Sequence, residues 1–397
     1  CEAAHYSFGE LVAVRRAISA ARPDLFHAPH YVVPLFPPRA TVVTIHDLMH
    51  LTRPEHASPA KRAYARWMIG RALRLSARVI AVSEATKKEI LAFGPEQSGK
   101  VEVVPNGVEE RFFLEGEEGN DDAACRLAEV LSPVPPFKES SSSPRSYLSY
   151  LLFLGNDKPH KNLDGLLGAW PLVRAANPSL SLVLAGVEPG RTLPEGVKAI
   201  GFVPDAEVPA LVAGARALVQ PSFAEGFGLP VLEAQAAGTP VACSDLPALR
   251  EAAGDAAVFF DPHDVASIAA ALNALLGDEE KRNLLRKRGR ERAAQFTWRR
   301  AAERTADVYE EILRRVSEGT AAGTASAQLE GVSNTHPFEE KTTSPQPNHD
   351  SPREGTKKTT SSPQPNHNSP REGTKKTTSS PQPNHDSPRE GAKDSSS

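Results

Sequence analysis

Short apolar runs alternate with amphipathic helical patterns along most of the chain. The apolar runs are rich in β-branched residues, and they read LFHAPH, TVVTIHDL, RVIAVS, KVEVVPN, YLLFLGN, LSLVLAG, VKAIGF, ALVQPS, TPVACSD and AVFFDP. The helical patterns cover 59–77, 84–93, 162–176, 205–214, 229–237, 264–276 and 279–295. Continuous apolar runs of this length are typical of strands buried on both faces. The alternation therefore predicts parallel sheets covered by helices, in doubly wound α/β units.

A change of composition between the fourth and fifth runs divides the chain into two lobes. Residues 114–147 are acidic at first and then rich in proline and serine, which is typical of an interdomain linker. We therefore expect one α/β lobe at 1–113 and a second at 148–296.

The C-terminal part of the chain has a different character. An amphipathic helix is predicted at 297–316, with Thr297 as its N-cap. Residues 317–397 contain a repeat of 18 residues in which TKKTTSSPQPNH recurs. These repeats carry almost no apolar residues and cannot bury a core, so we expect this tail to be disordered.

Composition excludes several classes of protein. The formal net charge is −3, so there is no overall basic field and we expect no nucleic-acid partner. The 3 cysteines are far apart and form no CxxC pair, which argues against a disulfide framework or a zinc site and fits a reducing cytoplasm. No apolar run approaches the roughly 20 residues that span a bilayer. The first residue is Cys rather than Met, so we expect the chain to lack its original start.

The stretch FAEGFGLPVLEAQAAGTPV, residues 223–241, has the features of an anion site. Glycines followed by a proline in the first turn predict that a helix begins near Leu229. The backbone amides of Gly226, Phe227, Gly228 and Leu229 are then unpaired donors at the positive end of the helix dipole. Since glycine also lets a ligand approach the backbone closely, the turn predicts a site for phosphate.

Two glutamates flank this turn. Glu225 stands just before it, and Glu233 lies one helical turn after it, with its side chain leaning back towards the helix N-terminus. A carboxylate repels phosphate but accepts hydrogen bonds from hydroxyl groups. The pair therefore favours a ligand with hydroxyls on both sides of its phosphates, as in a nucleotide sugar. The alternative is that both glutamates merely complement the helix dipole.

Two further side chains are predicted to face the cleft between the lobes. Lys161 follows the strand 150–154 at the mouth of the next helix, where a lysine can neutralise a diphosphate. His46 follows the strand TVVTI at its carboxyl end, where ligands of open α/β sheets bind. The alternatives are an ordinary exposed lysine at a helix start and a histidine hydrogen-bonded to its own lobe.

Several segments together resemble the family-4 retaining glycosyltransferases with the two-lobed GT-B architecture, over most of residues 20–315. They are TIHDL, AVSEATKKEI, VVPNGV, LGNDKPHKN, GFVPD, FTWRRAAERTADVY and PSFAEGFGLPVLEAQAAGTPV, whose two glutamates have the E-x7-E spacing. The resemblance implies two Rossmann-like lobes and a final helix that crosses back onto the first lobe. Members with similar TIHDL and PHKN segments often transfer mannose or related sugars.

The resemblance also implies roles for individual residues. Glu233 would bind the donor ribose, and Val203 would meet the base through its backbone. Glu225, with the backbone of the glycine-rich turn, would hold the hydroxyls of the donor sugar. Lys161 would balance the diphosphate, and His46 would touch the donor sugar from the opposite lobe.

The implied reaction moves a hexose from a GDP- or UDP-linked donor to a glycan or lipid-linked acceptor in polysaccharide biosynthesis. The anomeric configuration would be retained. Since no DxD motif ends a strand in either lobe, we expect neither a metal nor another cofactor. We expect the first lobe to lack the strand and glycine-rich loop that open the family pattern, and the repetitive tail lies outside that pattern. A non-catalytic nucleotide-sugar-binding remnant and a GT-B sugar-nucleotide epimerase therefore remain as alternatives.

The segment KRAYARWMIGRALRLSAR, which overlaps the helix predicted at 59–77, carries six basic residues and no acidic one. On a helical wheel, Arg66, Arg71, Arg74 and Arg78 gather on one side. Such a helix can dock on an anionic membrane surface, which would place a cytoplasmic protein at the inner membrane face. The alternative is a solvated face above an ordinary buried stripe.

Overall fold

The computed structural model describes residues 8–53, 58–113 and 149–330. In the part before residue 114, the described strands form a four-stranded parallel sheet in the order β1-β2-β3-β4. The strands are β1 (Phe26–Ala28), β2 (Thr41–Ile45), β3 (Arg78–Ala81) and β4 (Val101–Val103). The helices are α1 (Phe8–Ala21), α2 (Met49–Thr52), α3 (Pro59–Leu75) and α4 (Glu84–Phe93), with 3₁₀ turns at Pro95–Lys100 and Glu110–Phe112.

The second sheet contains six parallel strands among the described residues, in the order β10-β9-β8-β5-β6-β7. They are β5 (Tyr150–Leu154), β6 (Ser181–Ala185), β7 (Val197–Gly201), β8 (Ala217–Gln220), β9 (Val241–Ser244) and β10 (Val258–Phe260). The helices are α5 (Leu163–Ala176), α6 (Val208–Gly214), α7 (Leu229–Ala236), α8 (Pro247–Ala253), α9 (Val265–Leu276) and α10 (Glu279–Ala293).

The strand order reverses between β5 and β8, which pair directly with each other. From β5 the chain first adds β6 and β7 on one side, and it then returns to place β8 on the other side. The loops after β5 and β8 therefore leave the same edge of the sheet at adjacent positions. Ligands of open α/β sheets bind at such a reversal point.

Both faces of the second sheet are buried, as the continuous apolar runs predict. Alternate residues of β5 enter different clusters: Leu152 packs with Val231 of α7, whereas Leu151 and Phe153 pack with Trp170 of α5. This alternation follows from the two-residue period of a strand. Helix α7 is thus pressed against the sheet, which fixes the position of the turn before it.

The last helix, α11 (Trp298–Glu330), packs against the first sheet. Its buried residues Ala301, Val308 and Ile312 contact a cluster that includes Val42 and Ile80. The predicted crossing helix at 297–316 is therefore present, but it ends later than predicted and includes the first residues assigned to the tail. The added sequence, TAAGTASAQ, is rich in alanine, which is the best helix former and continues the helix.

Every strand predicted from the apolar runs is confirmed, as are the predicted helices. Apart from the later end of α11, the largest boundary error is at the start of α6. Helices α1, α2 and α8 were missed. The last two have only 4 and 7 residues, too few to show a helical period. Helix α1 carries a usable signal, since Leu11 and Ile18 are seven positions apart and both buried. The predicted linker, 114–147, and residues 331–397 of the tail lie outside the described residues. No described helix has the length and hydrophobicity that spanning a bilayer requires.

Candidate functional site

The loops after β5 and β8 are fastened to each other at the reversal point of the second sheet. Asn162, the N-cap of α5, is buried and donates from Nδ2 to the carbonyls of Pro221 (3.0 Å) and Pro262 (2.8 Å). The amide of Phe223 donates to the carbonyl of His160 at 2.8 Å. These bonds hold the residue between them, Lys161, beside the loop that carries Glu225.

Glu225 and Lys161 form an ion pair with little exposure to solvent. The Lys161 Nζ lies 2.8 Å from Glu225 Oε1, and the two side chains are 16% and 10% exposed. The same oxygen also accepts hydrogen bonds from Gln220 Nε2 at 2.7 Å and Ser222 Oγ at 2.6 Å. All three contacts are made with Oε1, so the carboxylate is held in one orientation.

The glycine-rich turn presents free backbone donors. Gly228 is the N-cap of α7 in a left-handed conformation (φ 107°), and no side chain in the described part of the chain caps the helix. Within the described residues, the amides of Gly226, Phe227, Gly228 and Leu229 donate to no acceptor. A Cβ on Gly228 would meet Leu249 at 2.7 Å, so a side chain there is excluded by space as well as by backbone conformation. The turn is therefore suited to bind an anion.

Glu233 is partly buried, and its carboxylate has no hydrogen-bond partner among the described residues. Burial is the main effect that raises the pKa of Glu233, to about 7, and the negative charge of Glu109 adds to it. Arg111 opposes this shift, and Asp205 contributes to it. A desolvated acceptor of this kind gains stability when hydroxyl groups donate to it.

The surroundings of Glu233 connect it with the loop after β7. Arg111 donates to the carbonyl of Asp205 at 2.7 Å and pairs with Glu109 at 2.8 Å. Val203 lies in the same loop, where it is partly buried and packs against the core that contains α7. Glu233 therefore faces the loop of Val203, whereas Glu225 faces Lys161 at the other side of the glycine-rich turn.

His46 lies at the carboxyl end of β2 and its side chain is exposed. Its Nε2 is 2.9 Å from the carbonyl oxygen of Pro29, which is the local hydrogen bond that the alternative interpretation describes. Its backbone also contacts the second lobe, because a Cβ on Gly226 would lie 1.9 Å from the carbonyl oxygen of His46. The ring Nδ1 has no acceptor or donor among the described residues. The structure thus places His46 at the junction of the two lobes, beside the glycine-rich turn.

The predicted site residues fall into one region, but sequence reasoning missed the groups that hold them. Gln220 and Ser222 orient Glu225, and Asn162 fixes the loop of Lys161. A polar residue at the end of an apolar strand, as in ALVQ, was the available signal for Gln220. Arg111 gave no such signal, because it lies far from Glu233 along the chain.

Comparisons with known proteins identify the family of this chain. Residues 2–112 match the family model for Glycosyltransferase Family 4, and residues 138–292 match the model for Glycosyl transferases group 1. O-antigen chain mannosyltransferase B of Escherichia coli is 30% identical over 72% of this chain and 74% of the relative. Glycogen synthase of Mycobacterium tuberculosis is 28% identical over 72% of this chain and 69% of the relative.

A solved structure shares the fold. Sucrose-phosphate synthase of Thermosynechococcus elongatus superposes with a TM-score of 0.62 at 21% sequence identity, covering 77% of each chain. The expected GT-B architecture of two Rossmann-like lobes is therefore confirmed. The chain belongs to the family-4 glycosyltransferases.

Proposed function

We propose that the protein transfers a hexose from a nucleoside-diphosphate sugar to a glycan or lipid-linked acceptor in polysaccharide biosynthesis. One observation carries this proposal. Among the described residues, the four amides at the start of α7 have no acceptor, and along the chain they lie between Glu225, which is ion-paired, and Glu233, whose carboxylate has no hydrogen-bond donor. Diphosphate fits the amides, and hydroxyl groups on either side fit the two carboxylates. Mannose is the leading donor sugar, because the relative from Escherichia coli is named as a mannosyltransferase.

The nucleoside is assigned to the side of Glu233. Its carboxylate accepts hydrogen bonds from the ribose hydroxyls, and the backbone of Val203 contacts the base. The loop of Val203 and the side chain of Glu233 lie near the same Arg111–Asp205 contact, which supports this assignment. Binding of GDP compared with UDP distinguishes guanine from uracil as the base.

The transferred sugar is assigned to the side of Glu225. Glu225 Oε1 already has three donors, so its second oxygen is the one that accepts from the sugar hydroxyls. Lys161 has three N–H donors and uses one on Glu225, which leaves others for the diphosphate. His46 approaches the sugar from the first lobe.

The proposed reaction retains the anomeric configuration. The acceptor hydroxyl attacks C1 on the face from which the nucleoside diphosphate leaves. The new C1–O bond forms while the bond from C1 to the phosphate oxygen breaks, and the hydroxyl proton passes to that phosphate oxygen. Negative charge develops on the leaving diphosphate, where the amides of the turn and Lys161 stabilise it. We propose that no metal or other cofactor takes part.

Binding, turnover and stereochemistry test this proposal in sequence. Thermal shift with GDP, UDP, GDP-mannose and UDP-glucose is expected to reveal stabilisation by one nucleotide series, since ligands that bind only the native state stabilise it. NMR of the product is expected to show a retained anomeric configuration, with transfer unchanged by EDTA. Binding without transfer or donor hydrolysis would favour the non-catalytic remnant. Conversion of the donor sugar without an acceptor would favour the epimerase.

We further propose that helix α3 docks on an anionic membrane surface, but through fewer residues than the helical wheel indicates. Arg71 donates to the carbonyls of Val33 and Pro34, both at 2.8 Å, and Arg78 is buried and paired with Glu311. These two arginines therefore stabilise the lobe. The exposed residues of α3 that remain for an anionic surface are Lys61, Arg66, Trp67 and Arg74, with Trp67 48% exposed.

Vesicle sedimentation tests this surface. Wild-type protein is expected to sediment with vesicles that contain phosphatidylglycerol and to remain in solution with phosphatidylcholine alone. The double variant Lys61→Glu, Arg66→Glu is expected to lose this binding, because it reverses two exposed charges. The double variant Arg216→Glu, Lys287→Glu, which reverses an exposed arginine and an exposed lysine of the second lobe, is the matched control. Equal loss in both variants would assign the effect to net charge and contradict a specific surface on α3.

A further inference from the structure

The carbonyl oxygen of Gly226 is bound by two hydroxyls from the opposite lobe. Ser83 Oγ donates to it at 2.6 Å and Thr86 Oγ1 at 3.0 Å. Both side chains are buried, at 0% and 1% exposure. Ser83 is the N-cap of α4 and also accepts from the amide of Thr86, so the position of both hydroxyls is set by the start of that helix.

These bonds fix the orientation of one of the anion-binding amides. In a trans peptide the carbonyl of Gly226 and the N–H of Phe227 point in opposite directions. Holding the oxygen towards α4 therefore turns the Phe227 N–H away from α4, to the side where no described residue accepts it. The Phe227 ring is buried and packs against Phe296 of the second lobe, with 5.8 Å between the ring centroids. This contact anchors Phe227 within its own lobe.

Without the two hydroxyls this peptide has freedom to rotate. Glycines precede and follow Phe227, and glycine accepts backbone conformations that other residues avoid. Gly228 already has a φ of 107°. The orientation of the Phe227 amide is thus set by tertiary contacts rather than by the local chain.

A second contact keeps the start of α4 against the second lobe. Glu251 of α8 accepts from the amides of Glu84 at 2.8 Å and Ala85 at 3.1 Å, so a carboxylate of one lobe caps a helix of the other. The backbones of the two lobes also meet directly at His46 and Gly226, which leaves no space for a Cβ on Gly226. The two hydroxyls can therefore reach Gly226 only while the lobes are in contact.

We propose that Ser83 and Thr86 are positioning residues that orient the Phe227 amide towards the diphosphate of the donor. This inference rests on the proposed function and extends it, because it makes phosphate binding in the second lobe depend on contact with the first. The diphosphate is held more tightly when the lobes are in contact than when they are apart. Neither hydroxyl touches the donor.

The contribution of the phosphate groups to nucleotide affinity tests the inference. Calorimetry gives the ratio of the Kd for the nucleoside to the Kd for its diphosphate, with guanosine and GDP or uridine and UDP, whichever series binds. Thr86→Val removes a hydroxyl at nearly constant volume, and it is expected to lower this ratio about three- to tenfold. Thr86→Ser keeps the hydroxyl and is expected to restore the ratio.

Thr239→Val is the matched control, because Thr239 is also buried and donates to a backbone carbonyl, that of Val212, at 2.7 Å. It is expected to lower the melting temperature as much as Thr86→Val and to leave the ratio unchanged. Glu251→Ala is a second variant, at a partly exposed residue, and it is expected to lower the ratio by loosening the start of α4. If Thr86→Val does not fold, Glu251→Ala provides the test.

The outcomes separate this inference from the proposed function. A ratio near one in the wild type would overturn both, since no phosphate site would then exist. A high ratio in the wild type that persists in Thr86→Val and Glu251→Ala would overturn the positioning role and leave the proposed function intact. If Thr239→Val lowers the ratio as much as Thr86→Val does, the positioning role is also overturned.

Discussion

Glu225 and Glu233 are eight residues apart on either side of one turn, but their carboxylates have opposite surroundings. One oxygen of Glu225 is bound by Lys161, Gln220 and Ser222. Glu233 has no hydrogen-bond partner among the described residues, and burial raises its pKa to about 7. Glu225 is therefore already oriented by the protein, whereas the Glu233 carboxylate still lacks hydrogen-bond donors within the described residues. We expect substitutions of Glu225 to slow the reaction and substitutions of Glu233 to weaken nucleotide binding.

The largest effect is expected at Glu225. Glu225→Gln removes the charge opposite Lys161 and disturbs the preorganised group at the sugar, so the rate of donor hydrolysis or transfer should fall about 10²–10³-fold. The Kd for the nucleoside diphosphate should change little. Release of the nucleotide measures the rate, and Glu280→Gln, an exposed glutamate of the same lobe, is the control. A full rate in Glu225→Gln would remove this residue from the reaction.

Lys161 should behave as part of the same unit. Lys161→Met is expected to reduce the rate strongly, because both the ion pair with Glu225 and the charge at the diphosphate are lost. The double variant Lys161→Met, Glu225→Gln should cost less than the product of the two single effects, since residues in contact are not independent. Strict additivity of the two free-energy changes would contradict the coupling of this pair.

Glu233→Gln is expected to weaken nucleotide binding. Replacing the carboxylate weakens the hydrogen bonds that it accepts from the ribose, which is worth about 1–3 kcal/mol, or roughly 5- to 150-fold in Kd. Calorimetry with the preferred nucleoside diphosphate measures this change, again with Glu280→Gln as control. An unchanged Kd in Glu233→Gln would separate Glu233 from the ligand.

Nucleotide binding should also depend on pH through Glu233. With a pKa of about 7, its carboxylate is mostly protonated at pH 6 and mostly ionised at pH 8. Affinity is therefore expected to rise by up to about tenfold across this interval in the wild type, because the ionised form is the better acceptor. The profile of Glu233→Gln should be flatter over the same interval. Parallel profiles in the two proteins would show that another group is titrating.

The smallest effect is expected in stability. Because the pKa of Glu233 in the folded protein lies above the ordinary value of 4.5, the native state binds more protons than the unfolded state between these values. Glu233 therefore favours folding at low pH, and this contribution is lost as the pH rises through about 7. Without ligand, Glu233→Gln should melt about 3 °C higher than the wild type at pH 8 and at nearly the same temperature at pH 5. A constant difference at both pH values would contradict the raised pKa.

Whether a contact of the site can be predicted from the sequence depends on how far apart its residues lie along the chain. Gly228 and Glu233 belong to one turn and the helix that follows it, so local rules predict the bare amides and the position of the carboxylate. The pairing of Lys161 with Glu225 depends on β5 lying beside β8, and strand order is not encoded within either segment. Contacts between loops, such as that of Asn162 with Pro221, cannot be predicted from the sequence for the same reason.

Contacts between the lobes are the least predictable part. The helix predicted at 84–93 is confirmed, and the structure shows Ser83 as its N-cap. The second bond of Ser83, to the carbonyl of Gly226, requires the relative position of the two lobes, which no periodic pattern contains.

The hydroxyl groups of the ribose provide the sharpest test of whether Glu233 accepts hydrogen bonds from a nucleotide held by the adjacent turn. Calorimetry compares the preferred nucleoside diphosphate with its 2′,3′-dideoxy analogue, in the wild type and in Glu233→Gln. We predict that removing the hydroxyls weakens binding to the wild type about tenfold or more and has a much smaller effect on the variant. An equal loss in both proteins would contradict the claim.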